Sequence, residues 1–187
     1  GYIAPMQRSM LCGMVLLLAV AAGTARAEQP SRAECLLGAG RIEPGASIDV
    51  GIRLRLEPGW HTYWRNPGDA GTPLRATWSL PPGFTAGPLE WPTPSAFDDP
   101  PLRSFGYANE VVLPVRITAP DPLPAGMSVD LAVSLEWLVC KEICLPASTN
   151  LARRLPLAPA AAVPHDAETI AAARATLPEP AGEMTAR

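Results

Sequence analysis

Hydrophobic and polar residues alternate along several short segments of this chain, with the two-residue period of a half-buried β-strand. The clearest segment is 47–57, in which five apolar residues share one parity: Ile48, Val50, Ile52, Leu54 and Leu56. The same period recurs in 74–80, 111–117 and 129–137. In 129–137 the apolar parity includes Trp137, which is therefore expected to face a core. The pattern predicts at least four strands, each with one buried face.

Turn-forming residues separate these segments. Clusters of Pro, Gly, Asn and Asp occupy 58–59, 66–69, 81–83, 98–101 and 121–126. Short strands joined by turns, with no helical pattern between them, favour an immunoglobulin-like antiparallel β-sandwich over a parallel α/β sheet. A closed barrel is the alternative architecture. Pro114 lies inside one predicted strand, and because proline has no N–H to donate, this strand is expected at an edge.

The two ends of the chain have different compositions from the strand region. Residues 1–5 precede the first methionine and are interpreted as an upstream remnant. Residues 6–27 have the three parts of a cleaved signal peptide: Arg8, an apolar run over 10–22 and a small-x-small site at 25–27. A membrane anchor is the alternative, but a spanning helix needs about 20 apolar residues. Domain 28–157 is therefore expected to be exported to the periplasm.

The carboxyl-terminal region, 158–187, is rich in Ala and Pro. It is predicted to be a linker that leads to domains absent from this chain. Within it, residues 166–176 can form one short helix, with Asp166 as the N-cap.

Composition and charge exclude several functions. The 187 residues include 23 Pro and 15 Gly, and the charged fraction of 18% is too low for long solvated helices or a coiled coil. The formal net charge is −3 and no Lys/Arg cluster is present, so a nucleic-acid partner is not expected. No phosphate-binding loop, catalytic triad spacing or H-E-x-x-H pattern occurs. No cofactor is predicted.

Cysteine chemistry is the strongest functional signal. Cys12 lies in the predicted signal peptide, which leaves Cys35, Cys140 and Cys144 in a compartment where disulfides persist. If 141–143 form a hairpin turn, Cys144 opens a strand directly opposite Cys140, where Cα atoms are about 4.5 to 5.5 Å apart. That separation suits a disulfide, which needs about 4.4 to 6.8 Å. By alternation, Cys140 faces away from Trp137.

Spacing alone leaves two functions open for the pair. A disulfide that closes a loop of about five residues should stabilise the fold by roughly 2 kcal/mol. This is less than a bond across the sandwich would contribute, so a purely structural role is disfavoured. A bond at a strand end, with Lys141 beside it, is better placed for attack by another thiolate. The alternatives are therefore a redox-active pair and a binding or adaptor module with a structural disulfide, for which a copper-related role is one option.

Three ordered motifs resemble one family. Segments 59–71 (GWHTYWRNPGDAG), 107–115 (YANEVVLPV) and 138–146 (LVCKEICLP) are similar to the amino-terminal periplasmic domain of the DsbD/ScsB family of thiol:disulfide interchange proteins. The similarity runs from about 35 to 157. The three-residue spacer between the cysteines is shorter than in the best-known DsbD members and favours the ScsB-like branch.

The resemblance implies an immunoglobulin-like protein-disulfide reductase domain. Its pair, Cys140 and Cys144, would relay electrons from a membrane electron-transfer domain and its thioredoxin-like module, both absent from this chain. The acceptors would be oxidised thioredoxin-like periplasmic proteins that serve disulfide isomerisation, cytochrome c maturation or copper tolerance. An aromatic loop shields the pair in this family, and Phe105 or Tyr107 is the candidate here. The alternative for these two residues is a turn followed by strand entry.

Other site residues follow from position. His61 is interpreted as a rim residue of a strand ending at the 66–69 turn; the alternative is a copper or zinc ligand beside the cysteine pair, and no metal site is predicted. Cys35 is expected to take no part in exchange. Cys144 is predicted to be the attacking thiolate and Cys140 the resolving one, because Cys140 closes a long strand and should be better buried.

Overall fold

The strands of the chain are seen in a computed structural model that describes Gly1 and residues 29–179. The predicted signal peptide (6–27) lies outside the described residues, as do residues 2–5 of the predicted upstream remnant, residue 28 and residues 180–187. The strands are β1 (Ser31–Leu37), β2 (Ser47–Leu56), β3 (His61–Gly68), β4 (Arg75–Ser79), β5 (Thr85–Ala86), β6 (Ser95–Asp99), β7 (Leu102–Ala108), β8 (Glu110–Thr118), β9 (Ser128–Cys140) and β10 (Cys144–Pro156).

These strands form two sheets. The four-stranded sheet has the order β1-β2-β8-β5, and the six-stranded sheet has the order β10-β9-β3-β7-β6, with β4 also paired to β9. Every strand pair in the described part of the chain is antiparallel. The predicted immunoglobulin-like antiparallel β-sandwich is confirmed, and the two separate sheets exclude the closed barrel.

The core lies between the sheets and is built by the alternating residues. β2, β4, β8 and β9 coincide with the four predicted strands to within a few residues. Their apolar parities meet in one cluster that includes Val50, Ile52 and Leu54 from one sheet and Leu131, Val133, Leu135 and Trp137 from the other. The indole N–H of Trp137 donates to Ser31 Oγ at 3.0 Å, so its polar atom is satisfied inside the sandwich.

The strand with Pro114 is at an edge only locally. β8 lies between β2 and β5, but β5 pairs with Ile117 and Thr118 alone. Beside Pro114 the neighbour is instead a loop, and the Glu90 N–H donates to the Pro114 carbonyl at 2.8 Å. The missing proline N–H therefore interrupts no ladder on that side.

A helix covers the outer face of the four-stranded sheet. α1 (Ala167–Arg174) falls within the predicted 166–176, although the side chain of Asp166 at its N-cap makes no capping hydrogen bond. Ile170 packs there with Leu36 and Val112. Gly51 of β2 leaves room for it, since a Cβ would lie 2.9 Å from Val112 Cγ1 and 3.1 Å from Ile170 Cγ1. Among the described residues, no helix has the length and apolar character needed to cross a membrane.

Candidate redox site

The two cysteines lie at the tip of the β9–β10 hairpin. The strands pair along their whole length, from Ser128 opposite Pro156 to Cys140 opposite Cys144. Residues 141–143 form the turn, as the spacing predicted. The register brings the two Cα atoms to 4.1 Å, slightly closer than a typical facing pair, and a disulfide joins Cys140 to Cys144.

The two sulfur-bearing residues differ in exposure. Cys140 is only 2% exposed, because it pairs with Cys144 on one side and with His61 of β3 on the other. Cys144 is exposed, because β10 is an edge strand of its sheet and begins at this residue. An incoming thiolate therefore has access to Cys144 and not to Cys140.

A buried tyrosine reaches the exposed cysteine. The hydroxyl of Tyr63 lies 3.7 Å from Cys144 Sγ, within the range of a weak hydrogen bond to sulfur. Tyr63 is 4% exposed, and burial raises the pKa of its phenol. The phenol is therefore protonated at neutral pH and available as a donor.

Two further rings complete an aromatic cluster of His61, Tyr63 and Phe97. The His61 ring stacks on Phe97 with centroids 4.5 Å apart and meets Tyr63 edge-on at 5.3 Å. Burial lowers the pKa of His61. Because His61 is the register partner of Cys140, the cluster lies on the disulfide face of the six-stranded sheet. The sequence interpretation of His61 as a rim residue fits this position.

The predicted shielding residues are not brought to the disulfide. Phe105 and Tyr107 lie inside β7 rather than in a loop or at a strand entry, so both the loop assignment and its alternative are corrected. Tyr107 is a core residue whose hydroxyl donates to the Pro92 carbonyl at 2.7 Å. Phe105 has the same parity and lies near Gly68, at the far end of β3 from His61. Phe97, from β6, instead stacks on His61, which is the register partner of Cys140.

The third cysteine, Cys35, lies in the core, away from the disulfide face of the six-stranded sheet. Cys35 faces the core from β1, opposite Ile52 in the register. Burial raises the pKa of its thiol to about 11, although the charge of Arg153 acts in the opposite direction. Among residues 29–179, Cys35 is in no disulfide, and no group of three or more His, Cys, Asp and Glu side chains is placed to hold a metal ion.

A groove lies along the β9–β10 ladder and begins two residues from the disulfide. It has a volume of about 470 Å³ and is lined partly by Leu138 and Pro146, which face each other two residues from the cysteines. Pro73 adds apolar surface, while Arg75 and Glu136 supply opposite charges. A mixed apolar and charged surface therefore lies along the hairpin next to the cysteine pair.

The fold and site define a class of protein. A β-sandwich with a half-exposed cysteine pair at a hairpin tip is suited to thiol:disulfide exchange, since one sulfur is accessible and the other is held behind it. Residues 37–156, more than half of the chain, match the family described as thiol:disulfide interchange protein DsbD, N-terminal. The chain belongs to this family, which confirms the resemblance seen in the sequence.

Comparison with solved structures gives the same family. The N-terminal periplasmic domain of ScsB from Proteus mirabilis is similar with a TM-score of 0.59 and 25% identity, over 83% of this chain. This chain spans 57% of that structure's length. The N-terminal domain of DsbD from Neisseria meningitidis, in the reduced form, matches at 16% identity over 65% of this chain and 82% of that one, with a TM-score of 0.36. No curated protein sequence matches the chain.

Proposed function

We propose that this chain is a periplasmic protein-disulfide reductase domain that passes reducing equivalents through Cys140 and Cys144 to oxidised thioredoxin-like partners. The observation that carries the proposal is the unequal exposure of two bonded cysteines at a hairpin tip. Family membership supports exchange chemistry. The periplasmic ScsB domain to which the chain is similar, together with the predicted signal peptide, supports export.

The reaction proceeds by two thiolate attacks. In the reduced domain, the Cys144 thiolate attacks one sulfur of the partner disulfide, and the other partner sulfur leaves as a thiolate. A mixed disulfide now joins Cys144 to the partner. The Cys140 thiolate then attacks Cys144 Sγ and releases the second partner sulfur. Two electrons have moved, the partner is a dithiol after taking up protons, and the Cys140–Cys144 bond has formed again.

The geometry supports these roles for the two residues. Cys144 is the accessible sulfur, and access controls which sulfur is attacked or attacks. Cys140 is enclosed between β3 and β10, a position that protects it from solvent thiols and holds it opposite Cys144. A resolving cysteine needs this proximity and no access of its own.

The surface around Cys144 supports a protein partner. Ile143 in the turn is 63% exposed and places an apolar side chain next to Cys144. The groove lined by Leu138 and Pro146 begins on the other side of the disulfide. Apolar surface on both sides of a reactive sulfur suits a thioredoxin-like partner, whose own reactive cysteine must approach closely.

The electron source is proposed from the family. A membrane electron-transfer domain with its thioredoxin-like module would reduce the Cys140–Cys144 bond, and the partners reduced in turn would act in cytochrome c maturation or copper tolerance. This chain spans only 57% of the ScsB structure that it resembles. The proposed electron source and the proposed roles of the partners therefore belong to a relay of several domains, of which this chain is one.

Trapping of the mixed disulfide tests the proposal. Reduced Cys140→Ser protein is mixed with an oxidised thioredoxin, and the products are separated without reductant and weighed by mass spectrometry. We expect the adduct to accumulate with Cys140→Ser and not with Cys144→Ser. The reverse pattern would exchange the two roles. Absence of an adduct from both variants would instead support a structural disulfide in an adaptor module.

A further inference from the structure

The Tyr63 hydroxyl has a single hydrogen-bond partner in the described part of the chain. That partner is Cys144 Sγ, at 3.7 Å. A phenol buried to this extent normally has a hydrogen-bond partner, because leaving a buried O–H unpaired costs about 1 to 3 kcal/mol. A disulfide sulfur is a weak acceptor, so Tyr63 is poorly satisfied in the oxidised domain.

The ring of Tyr63 is held in place. Gly71 has φ of +93° and packs directly against the ring, where a Cβ would overlap its carbon atoms. His61 meets the ring edge-on from the same strand. A side chain fixed on both sides keeps its hydroxyl aimed at Cys144 whether the disulfide is closed or open.

We propose that Tyr63 is a catalytic hydrogen-bond donor to the Cys144 thiolate that forms when the disulfide is reduced. The inference rests on the proposed function, in which Cys144 carries the reactive thiolate. A charged acceptor strengthens a hydrogen bond roughly twofold over a neutral one, so the contact becomes stronger in the reduced state. Tyr63 therefore favours the reduced pair and the ionised form of Cys144.

The phenol assists exchange in both directions. When Cys144 attacks a partner, the hydrogen bond increases the fraction of Cys144 present as thiolate. When an electron donor resolves its own mixed disulfide with Cys144, the departing Cys144 sulfur is stabilised as a leaving group. No proton needs to leave Tyr63, whose pKa is raised by burial.

The test compares two tyrosines of the same sandwich. Tyr63→Phe removes one hydroxyl and keeps the ring, while Tyr107→Phe removes the hydroxyl bonded to Pro92 on the core side. Each variant is equilibrated with reduced and oxidised glutathione, and the reduced fraction is measured by mass spectrometry after acid quenching. We expect Tyr63→Phe to shift the equilibrium about three- to tenfold toward the disulfide and Tyr107→Phe to leave it unchanged.

A second readout follows the thiolate itself. In a Cys140→Ser background, the rate of Cys144 alkylation by iodoacetamide is measured against pH, and Tyr63→Phe should move the midpoint to higher pH. The other ionisable groups around Cys144 are His61 on β3 and Lys141 and Glu142 in the turn, and the substitution changes none of them. Cys35 reacts separately and is resolved by peptide mapping.

The outcomes separate this inference from the proposed function. Equal equilibria and equal alkylation profiles for wild type and Tyr63→Phe would overturn the hydrogen bond, as would equal shifts from Tyr107→Phe. If Tyr63→Phe shifts both measurements while Cys140→Ser traps no partner, the hydrogen bond stands and the exchange function fails. Circular dichroism of each variant shows that the sandwich is intact.

Discussion

Cys35 and Cys144 are cysteines of the same sandwich in opposite environments. Cys35 is 4% exposed, faces the core and has a pKa raised by burial to about 11. Cys144 opens an edge strand, is exposed and has a phenol hydroxyl 3.7 Å from its sulfur. Strand parity and strand position, more than the number of cysteines, determine which sulfur can exchange.

The largest effect is expected from removing each sulfur in turn. Cys144→Ser should abolish reduction of an oxidised thioredoxin, whereas Cys35→Ala should change the rate less than about twofold, because a buried neutral thiol is not a nucleophile. The measurement is a stopped-flow assay of thioredoxin fluorescence. Loss of exchange in a folded Cys35→Ala variant would show that Cys35 takes part in the reaction and would contradict this prediction.

A substitution beneath Tyr63 should damage the Cys144 site selectively. Gly71→Ala combines a positive φ with overlap of the Tyr63 ring, so we expect about 3 kcal/mol of lost stability and a glutathione equilibrium shifted toward the disulfide. Gly45→Ala is the control, since Gly45 also has positive φ but its nearest neighbour atom is 3.5 Å away. It should lose only about 1 kcal/mol and leave the equilibrium unchanged. Urea unfolding gives the stabilities; equal losses would refute the role of Gly71.

Alkaline pH should lower the free energy of unfolding through the buried Cys35 thiol. Its thiol pKa rises from an ordinary 9.0 to about 11 on folding, so between these values the folded chain keeps a proton that the unfolded chain loses. Stability is therefore full below pH 9 and falls as pH rises, by up to about 1.4 kcal/mol per unit from this group. Tyr63 and Tyr107, whose pKa values burial also raises, add to the slope at higher pH.

Cys35→Ala isolates the thiol contribution. The variant should show a shallower decline of unfolding free energy from pH 9 to 11 than wild type, measured by urea unfolding at each pH. Parallel declines would show that Cys35 does not titrate differently in the two states.

The smallest effect is expected at the turn. Ile143→Ser should lower the rate constant for reduction of a thioredoxin about three- to tenfold, since an exposed apolar contact is worth roughly 1 kcal/mol at an interface. Met127→Ser is the control, because Met127 is 64% exposed but lies at the opposite end of the hairpin. Equal rates for the two variants would argue against docking at the turn.

The strands that could be predicted from sequence are those with one buried face. β2, β4, β8 and β9 alternate because each presents one parity to the core. β6 and β7 were missed because β6 is an edge strand with polar residues around Phe97, and β7 contains Gly106, where a Cβ would overlap the Thr62 carbonyl. A strand that buries no regular stripe has no period to detect.

Only the part of the site formed by residues close together in sequence could be predicted. The hairpin spacing placed Cys144 opposite Cys140 because four residues and one turn fix that geometry. Tyr63 lies 81 positions from Cys144, and Phe97 reaches His61 only through the β3–β7–β6 order of the sheet. Contacts that depend on sheet order leave no trace in local spacing, so the contacts of Tyr63 with Cys144 and of Phe97 with His61 could be found only in the folded chain.

Helix α1 makes the two outer faces of the sandwich different. Ile170 sits over Gly51 on the outer face of the four-stranded sheet, while the cysteine pair faces outward from the other sheet. Selection can therefore adjust the two faces independently. Substitutions in α1 would change how long the domain survives heat or proteases, and substitutions around Tyr63 and Ile143 would change the surface at the cysteine pair. A fold arranged in this way can acquire a new partner without losing robustness.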